Sequence, residues 1–237
     1  LDASNIDGQN NTSLSNGALV SEWKDLSGHA HDVTQTADNR KPSLTFNLDK
    51  PYLSFDGFND SLEADLTGHI LDNPSGQDIT IFTVVKPKGG YYILSTGGQA
   101  TAATGYALSF QAGNSFSTMK DNSGGRELLI SDLFAPNNTH IVTHSYSETF
   151  TNIDVLVNGS TSGSEFTHYN SSTNSYQTIT IGKPNNLNSY YGNFDIAEVV
   201  VISSTDSQKI IGIEYYLSKK WGLTSNVDSD GDGVSDV

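Results

Sequence analysis

The feature that most limits what this chain can fold into is its rhythm. Short apolar runs of period two, rich in β-branched and aromatic residues, alternate with clusters of Gly, Asn, Asp and Ser. Successive side chains of a strand point to opposite faces, so such alternation marks strands with one face in a core. Residues 18–23, 52–56, 79–86, 91–95, 106–110, 127–130, 140–146, 153–158, 177–181 and 194–202 are predicted as strands on this basis. No helices alternate with them, which predicts two stacked antiparallel sheets, an all-β jelly-roll sandwich, and not a parallel α/β sheet. At 237 residues, one large sandwich can account for most of the chain.

One helix is predicted over residues 206–221, where Ile210, Ile213, Leu217 and Trp221 fall on one apolar stripe. Thr205 with Gln208 three residues later fits a capping box, and Gly222 stands where a left-handed residue ends a helix. The composition then changes abruptly into TSNVDSDGDGVSDV. This predicts a boundary, with a sandwich over residues 1–224 and an acidic segment over residues 225–237 that lies outside the core.

Charge and cysteine usage narrow the partners. Asp and Glu number 27 against 12 Lys and Arg, a net charge of -15, which repels nucleic acid and anionic membrane surfaces. No cysteine is present, so neither disulfides nor thiolate metal sites are available. No apolar run approaches the roughly 18 residues of a membrane span. The polar start LDASNIDGQNN is no signal peptide, and a leader is expected to have been removed from a longer, secreted or cell-surface precursor.

The acidic segment carries the sharpest motif. Asp228, Asp230, Asp232 and Asp236 take the first, third, fifth and ninth positions of a calcium loop, with Gly233 at the sixth for the sharp turn. Val234 would add its carbonyl at the seventh position. Hard oxygen donors in this pattern predict calcium, against the plainer alternative of a solvated acidic linker. Asp56 and Asp60, flanking Gly57, are open to two readings. Either they form a second calcium loop with Asp195 or Glu198 as distant partners, or Asp56 caps a local Asx turn.

Candidate ligand contacts lie where aromatics stand in Gly- or Asn-rich surroundings. These are Tyr91 and Tyr92 after Gly89-Gly90, and Tyr190 and Tyr191 with Asn188 in NNLNSYYGN. Neighbouring side chains diverge, so at most one member of each pair should enter the core. Arg126 and the amide- and hydroxyl-rich loops at residues 99–105, 121–126 and 168–176 complete the inventory that hydrogen-bonds sugar hydroxyls. Trp23 and Trp221 are expected in the core, and His29 with His31 as an exposed pair.

Four motifs then carry a resemblance. LDASNIDG, VSEWKDLSG, YLSFDGFNDSLE, and FDIAEVVVIS followed by a helix ending in YYLSKKWGL together resemble bacterial laminin G-like domains of the concanavalin A-like superfamily, over about residues 1–224. DSDGDGVSD resembles the opening element of a thrombospondin type 3 calcium repeat. The resemblance implies a jelly roll with calcium at its edge, used as a binding module beside hydrolases, lyases or adhesins.

Catalysis is not expected. The Glu-x-Asp-x-x-Glu pattern of sandwich glycosidases is absent, and the odd spacing of Asp195 and Glu198 puts them on opposite faces of a regular strand. Arg40 and Arg126 are the only arginines, few for neutralising a uronate, and neither lies in a lyase motif. The expectation is a monomeric, non-catalytic extracellular module, joined to further domains, that binds a glycan or polysaccharide with calcium. The alternatives are a spacer or protein-docking module and, behind it, a divergent lyase or hydrolase.

Overall fold

The computed structural model describes residues 1–47, 50–72, 78–96, 106–111, 115–120, 127–129, 135–146, 152–166, 178–185 and 187–237. In chain order its strands are β1 (Glu22–Trp23), β2 (Val33–Thr34), β3 (Ser43–Asn47), β4 (Lys50–Asp56), β5 (Leu62–Asp65), β6 (Ile79–Gly90), β7 (Tyr92–Ser95) and β8 (Tyr106–Gln111). There follow β9 (Ser115–Lys120), β10 (Glu127–Leu129), β11 (His140–Tyr146), β12 (Asn152–Val157), β13 (Ser160–Phe166), β14 (Thr178–Ile181) and β15 (Gly192–Ile202), then helix α1 (Ser207–Trp221).

Two antiparallel sheets result. One runs β1-β2-β5-β14-β7-β8-β9-β10 and the other β13-β12-β11-β6-β15-β4-β3. Their facing side chains form the core, with Trp23, Phe55 and Phe194 fully enclosed. The first seven residues of β6 are all buried, because the opposite sheet covers one face and α1 lies near the other. Two hydrogen bonds join buried polar groups on the helix side: Thr143 Oγ1 donates to Glu214 Oε1 at 2.6 Å, and Trp221 Nε1 to Glu198 Oε2 at 2.7 Å. Burial pushes the Glu214 carboxyl up to about 7.

The helix follows its predicted stripe, with Ile210, Leu217 and Trp221 buried. Its cap differs from the predicted one by a residue. Asp206, not Thr205, accepts from the Gln208 amide, while Thr205 Oγ1 donates to Asp78. Gly222 ends the helix at φ 71°.

The acidic tail was expected outside the core, yet Val227 is fully buried and belongs to the main apolar cluster. It enters beside the β12–β13 hairpin, whose Asn158-Gly159 turn has φ 53° and 83° and so gives the tight two-residue connection. The Asp228 amide donates to the Asn158 carbonyl at 3.0 Å, and a Cβ on Gly159 would stand 1.8 Å from the Asp228 carbonyl oxygen. Only glycine fits there.

Candidate functional site

One end of the sandwich gathers three connections. The β4–β5 loop meets the start of β15, where a Cβ on Gly57 would come within 2.9 Å of Asn193 Cβ. The β6–β7 turn meets it from the other side, where a Cβ on Gly90 would stand 2.7 Å from the Asn193 nitrogen. The β14–β15 connection closes the group: the Gly192 amide donates to the Gly182 carbonyl, and a Cβ on Gly182 would lie 2.5 Å from the Asp60 carbonyl oxygen. Beneath them Phe55 and Phe194 stack at 4.7 Å, giving the end a rigid aromatic floor.

The two tyrosine pairs meet here and divide as alternation requires. Tyr92 and Tyr191 are 5% and 9% exposed and joined by an isolated bridge, so these two nominated ligand contacts are core residues. Tyr91 and Tyr190 are 46% and 42% exposed, and their rings meet edge to face at 5.2 Å and 83°, a favoured aromatic geometry. Tyr190 adopts φ 60°, unusual for a bulky residue. The turn is pinned by the Tyr92 amide bonding the Tyr190 carbonyl at 3.4 Å and by the Gly192 amide. Asn188 is exposed in the same connection. Arg126 and the three nominated loops lie outside the described residues.

The Asp56 loop is an Asx turn. Asp56 Oδ1 accepts from the amides of Phe58 at 2.8 Å and Asn59 at 3.3 Å, and Asp60 Oδ2 accepts from the Asp56 amide at 3.0 Å. Burial pushes the Asp60 carboxyl up to about 6, and the nearby Asp56 charge adds to this. The distant partners considered for calcium are engaged elsewhere. Asp195 pairs with Lys88, and Glu198 with Lys220 and Trp221. A register shift between Ile196 and Glu198 inserts a residue in β15, so the rule that would set Asp195 and Glu198 on opposite faces does not hold. Each carboxylate is nonetheless held in its own ion pair.

What this loop presents is Phe58, 81% exposed, a residue that sequence reading passed over. Its signal was available: an aromatic between Gly57 and Asn59 in a turn has no strand face to carry it inward.

The C-terminal loop behaves differently. Carboxylate oxygens of Asp228, Asp230 and Asp232 all lie within 4.8 Å of one another, close enough for one calcium ion at its usual Ca–O distance of roughly 2.3–2.6 Å. Asp228 also accepts from the amides of Gly231 and Gly233, and Asp232 from that of Val234. Asp236 is not with them. Its carboxylate binds Ser218 Oγ and the amide and hydroxyl of Ser229, which hold its carboxyl below the usual range although burial opposes this. It therefore ties the tail to α1 in place of the ligand position predicted for it. The Val234 side chain is exposed.

The tryptophans are core residues as expected. His31 pairs edge to face with His69 at 4.8 Å rather than with His29. No helix among the described residues is long and apolar enough to cross a membrane.

No protein-family model and no curated protein sequence matches the chain. Solved structures do. The receptor binding domain of botulinum neurotoxin D superposes with a TM-score of 0.63 at 17% identity, over 85% of this chain and 50% of that one. The binding domain of botulinum neurotoxin serotype G gives 0.63 at 16%, over 82% and 48%. That of Paraclostridial Mosquitocidal Protein 1 gives 0.65 at 12%, over 85% and 51%. The chain thus spans about half the length of these structures. The likeness establishes the fold, a jelly-roll β-sandwich of two antiparallel sheets with one C-terminal helix, while the finer laminin G-like resemblance rests on the sequence motifs alone.

Proposed function

We propose that this chain is a non-catalytic, extracellular binding module that holds a glycan at the aromatic end of its sandwich. The observation that carries the reading is the Tyr91–Tyr190 pair, two exposed rings set at right angles above buried neighbours. An exposed ring face complements the apolar face of a pyranose. The amide of Asn188 and the hydroxyl of Ser189 stand in the same connection, and Asn193 at the start of β15, to serve sugar hydroxyls. The three solved neighbours named above are binding domains, which supports a binding role.

Calcium belongs to the second part of the proposal. Asp228, Asp230 and Asp232 are its ligands, and its part is structural: it holds the C-terminal loop closed beside α1 and the β12–β13 hairpin. Those elements carry none of the aromatic-end residues, so calcium does not touch the glycan.

A glycan array run with calcium and again with chelator tests this. Retention of a defined sugar family, lost in Tyr91→Ala and Tyr190→Ala with the fold intact, is the expected result. Silence of the wild-type protein on the whole array overturns the glycan reading. It would favour docking to a protein in place of a glycan.

A further inference from the structure

The aromatic end holds more than the tyrosine pair, and its chemistry narrows the glycan. Among the described residues, Phe58 is the most exposed large apolar side chain apart from that of Val237. Its loop is nonetheless fixed. Two amides close onto Asp56, Asp60 closes onto the Asp56 amide, and Gly57 at φ 82° lies against Asn193. A ring held out on a pre-ordered loop loses little freedom when it meets a ligand.

Register places this ring relative to the tyrosines. Asn193 of β15 pairs with Asp56 of β4 on one side and with Gly89 of β6 on the other. The Phe58 loop and the Tyr91 turn therefore rise from strands two spacings apart, about 10 Å. A single sugar ring stacked on the tyrosines would leave Phe58 in water, whereas a chain of sugars laid across the end of β15 would meet both.

Charge decides the kind of chain. Residues 57–59, 89–92 and 187–193 contain no Lys, Arg, Asp or Glu. Of the described lysines flanking these segments, Lys88 pairs with Asp195 and Lys183 with Glu63. No free cation among these groups could pair with a sugar carboxylate or sulfate, and the net charge of -15 repels such chains. The uncharged hydroxyls and amides of Asn59, Asn188 and Ser189 suit neutral sugars.

We infer that Phe58 is a third ligand contact of this end, and that the ligand is a neutral, extended oligosaccharide chain spanning Phe58 and the Tyr91–Tyr190 pair. This rests on the glycan reading above. The test is titration calorimetry with the hexasaccharides and disaccharides of β-linked glucose, β-linked xylose and β-linked mannose, and with oligogalacturonate as the acidic chain. Wild-type protein should bind one neutral hexasaccharide at least about tenfold more tightly than its disaccharide. Phe58→Ala should erase that advantage with no change for the disaccharide, and Phe58→Trp should keep it. Phe58 is exposed, so its variants should share the wild-type Tm. Equal affinity for both lengths, indifference to Phe58→Ala, or preference for oligogalacturonate overturns the inference while leaving the glycan reading standing. Failure of every sugar overturns both, and binding of phosphatidylcholine vesicles that Phe58→Ala abolishes would reassign the end to lipid.

Discussion

Two loops of this molecule look alike in sequence and differ in what they do with their acids. Both set aspartates around glycine at short spacing, DGFND at residues 56–60 and DSDGD at residues 228–232. In the first, Asp56 and Asp60 turn back onto their own loop's amides, and the structure they build presents Phe58. In the second, the acids also accept from their own loop's amides, but they stand at alternate positions and bring three carboxylates within 4.8 Å. The difference lies in spacing. Acids four apart around a tight turn reach local donors, whereas acids two apart wind around a common centre.

The largest effect expected from this contrast is calcium-dependent stability. Calcium at a hundred times its dissociation constant adds about 2.7 kcal/mol to the folded state, or about 5–11 °C in Tm for a domain of this size. Asp230→Ala should abolish that shift and Asp56→Ala should leave it whole, as read by thermal unfolding with calcium and with chelator. Equal loss in both variants would erase the distinction between the loops.

Much of this was legible in the sequence, and the exceptions have physical causes. Period-two alternation located the central strands, and helical spacing located α1, because burial of one face imposes those periods. The edge strand β13, STSGSEF, went unseen because its sequence lacks an apolar face to betray it. The short β2 and β5 give too few residues of the pattern, whereas β1 lies within the predicted strand 18–23. Alternation also foretold that each tyrosine pair would split between core and solvent, though not which member would stay out. That choice depends on the left-handed turn at Tyr190, a tertiary constraint. Val227 was misread because one valine among acids looks like linker, while its burial depends on a hairpin distant in sequence. Phe58 carries no periodic signal, because it stands alone between Gly57 and Asn59 in a turn.

The next effect in size is a pH dependence confined to the first loop. Asp60 binds its proton more tightly folded, at about 6, than its ordinary 3.8. Its folded state is therefore favoured in acid and loses ground as pH rises from about 4 through about 6. With about 1.4 kcal/mol per unit, lowered for partial solvent access, the loss is up to about 2 kcal/mol. Asp60→Asn keeps an oxygen for the Asp56 amide and should remove this slope. Glu214 titrates in an overlapping range, so the difference between wild-type and variant stability curves isolates Asp60. A flat difference curve would mean that Asp60 is charged throughout.

The smallest effect separates presentation from stability. Asp56→Ala removes the acceptor for the amides of Phe58 and Asn59, which should cost about 1 kcal/mol by analogy with lost side-chain caps. The substitution leaves the Phe58 ring in the protein but unties the loop that holds it out. Affinity for the long neutral chain should fall, with the disaccharide unaffected, because ordering the loop must then accompany binding. Asp56→Asn, which retains an acceptor oxygen, should recover most of both losses. If Asp56→Ala lowers Tm and leaves chain binding intact, the Asx turn stabilises the fold without preparing Phe58, and rigidity has no part in the recognition.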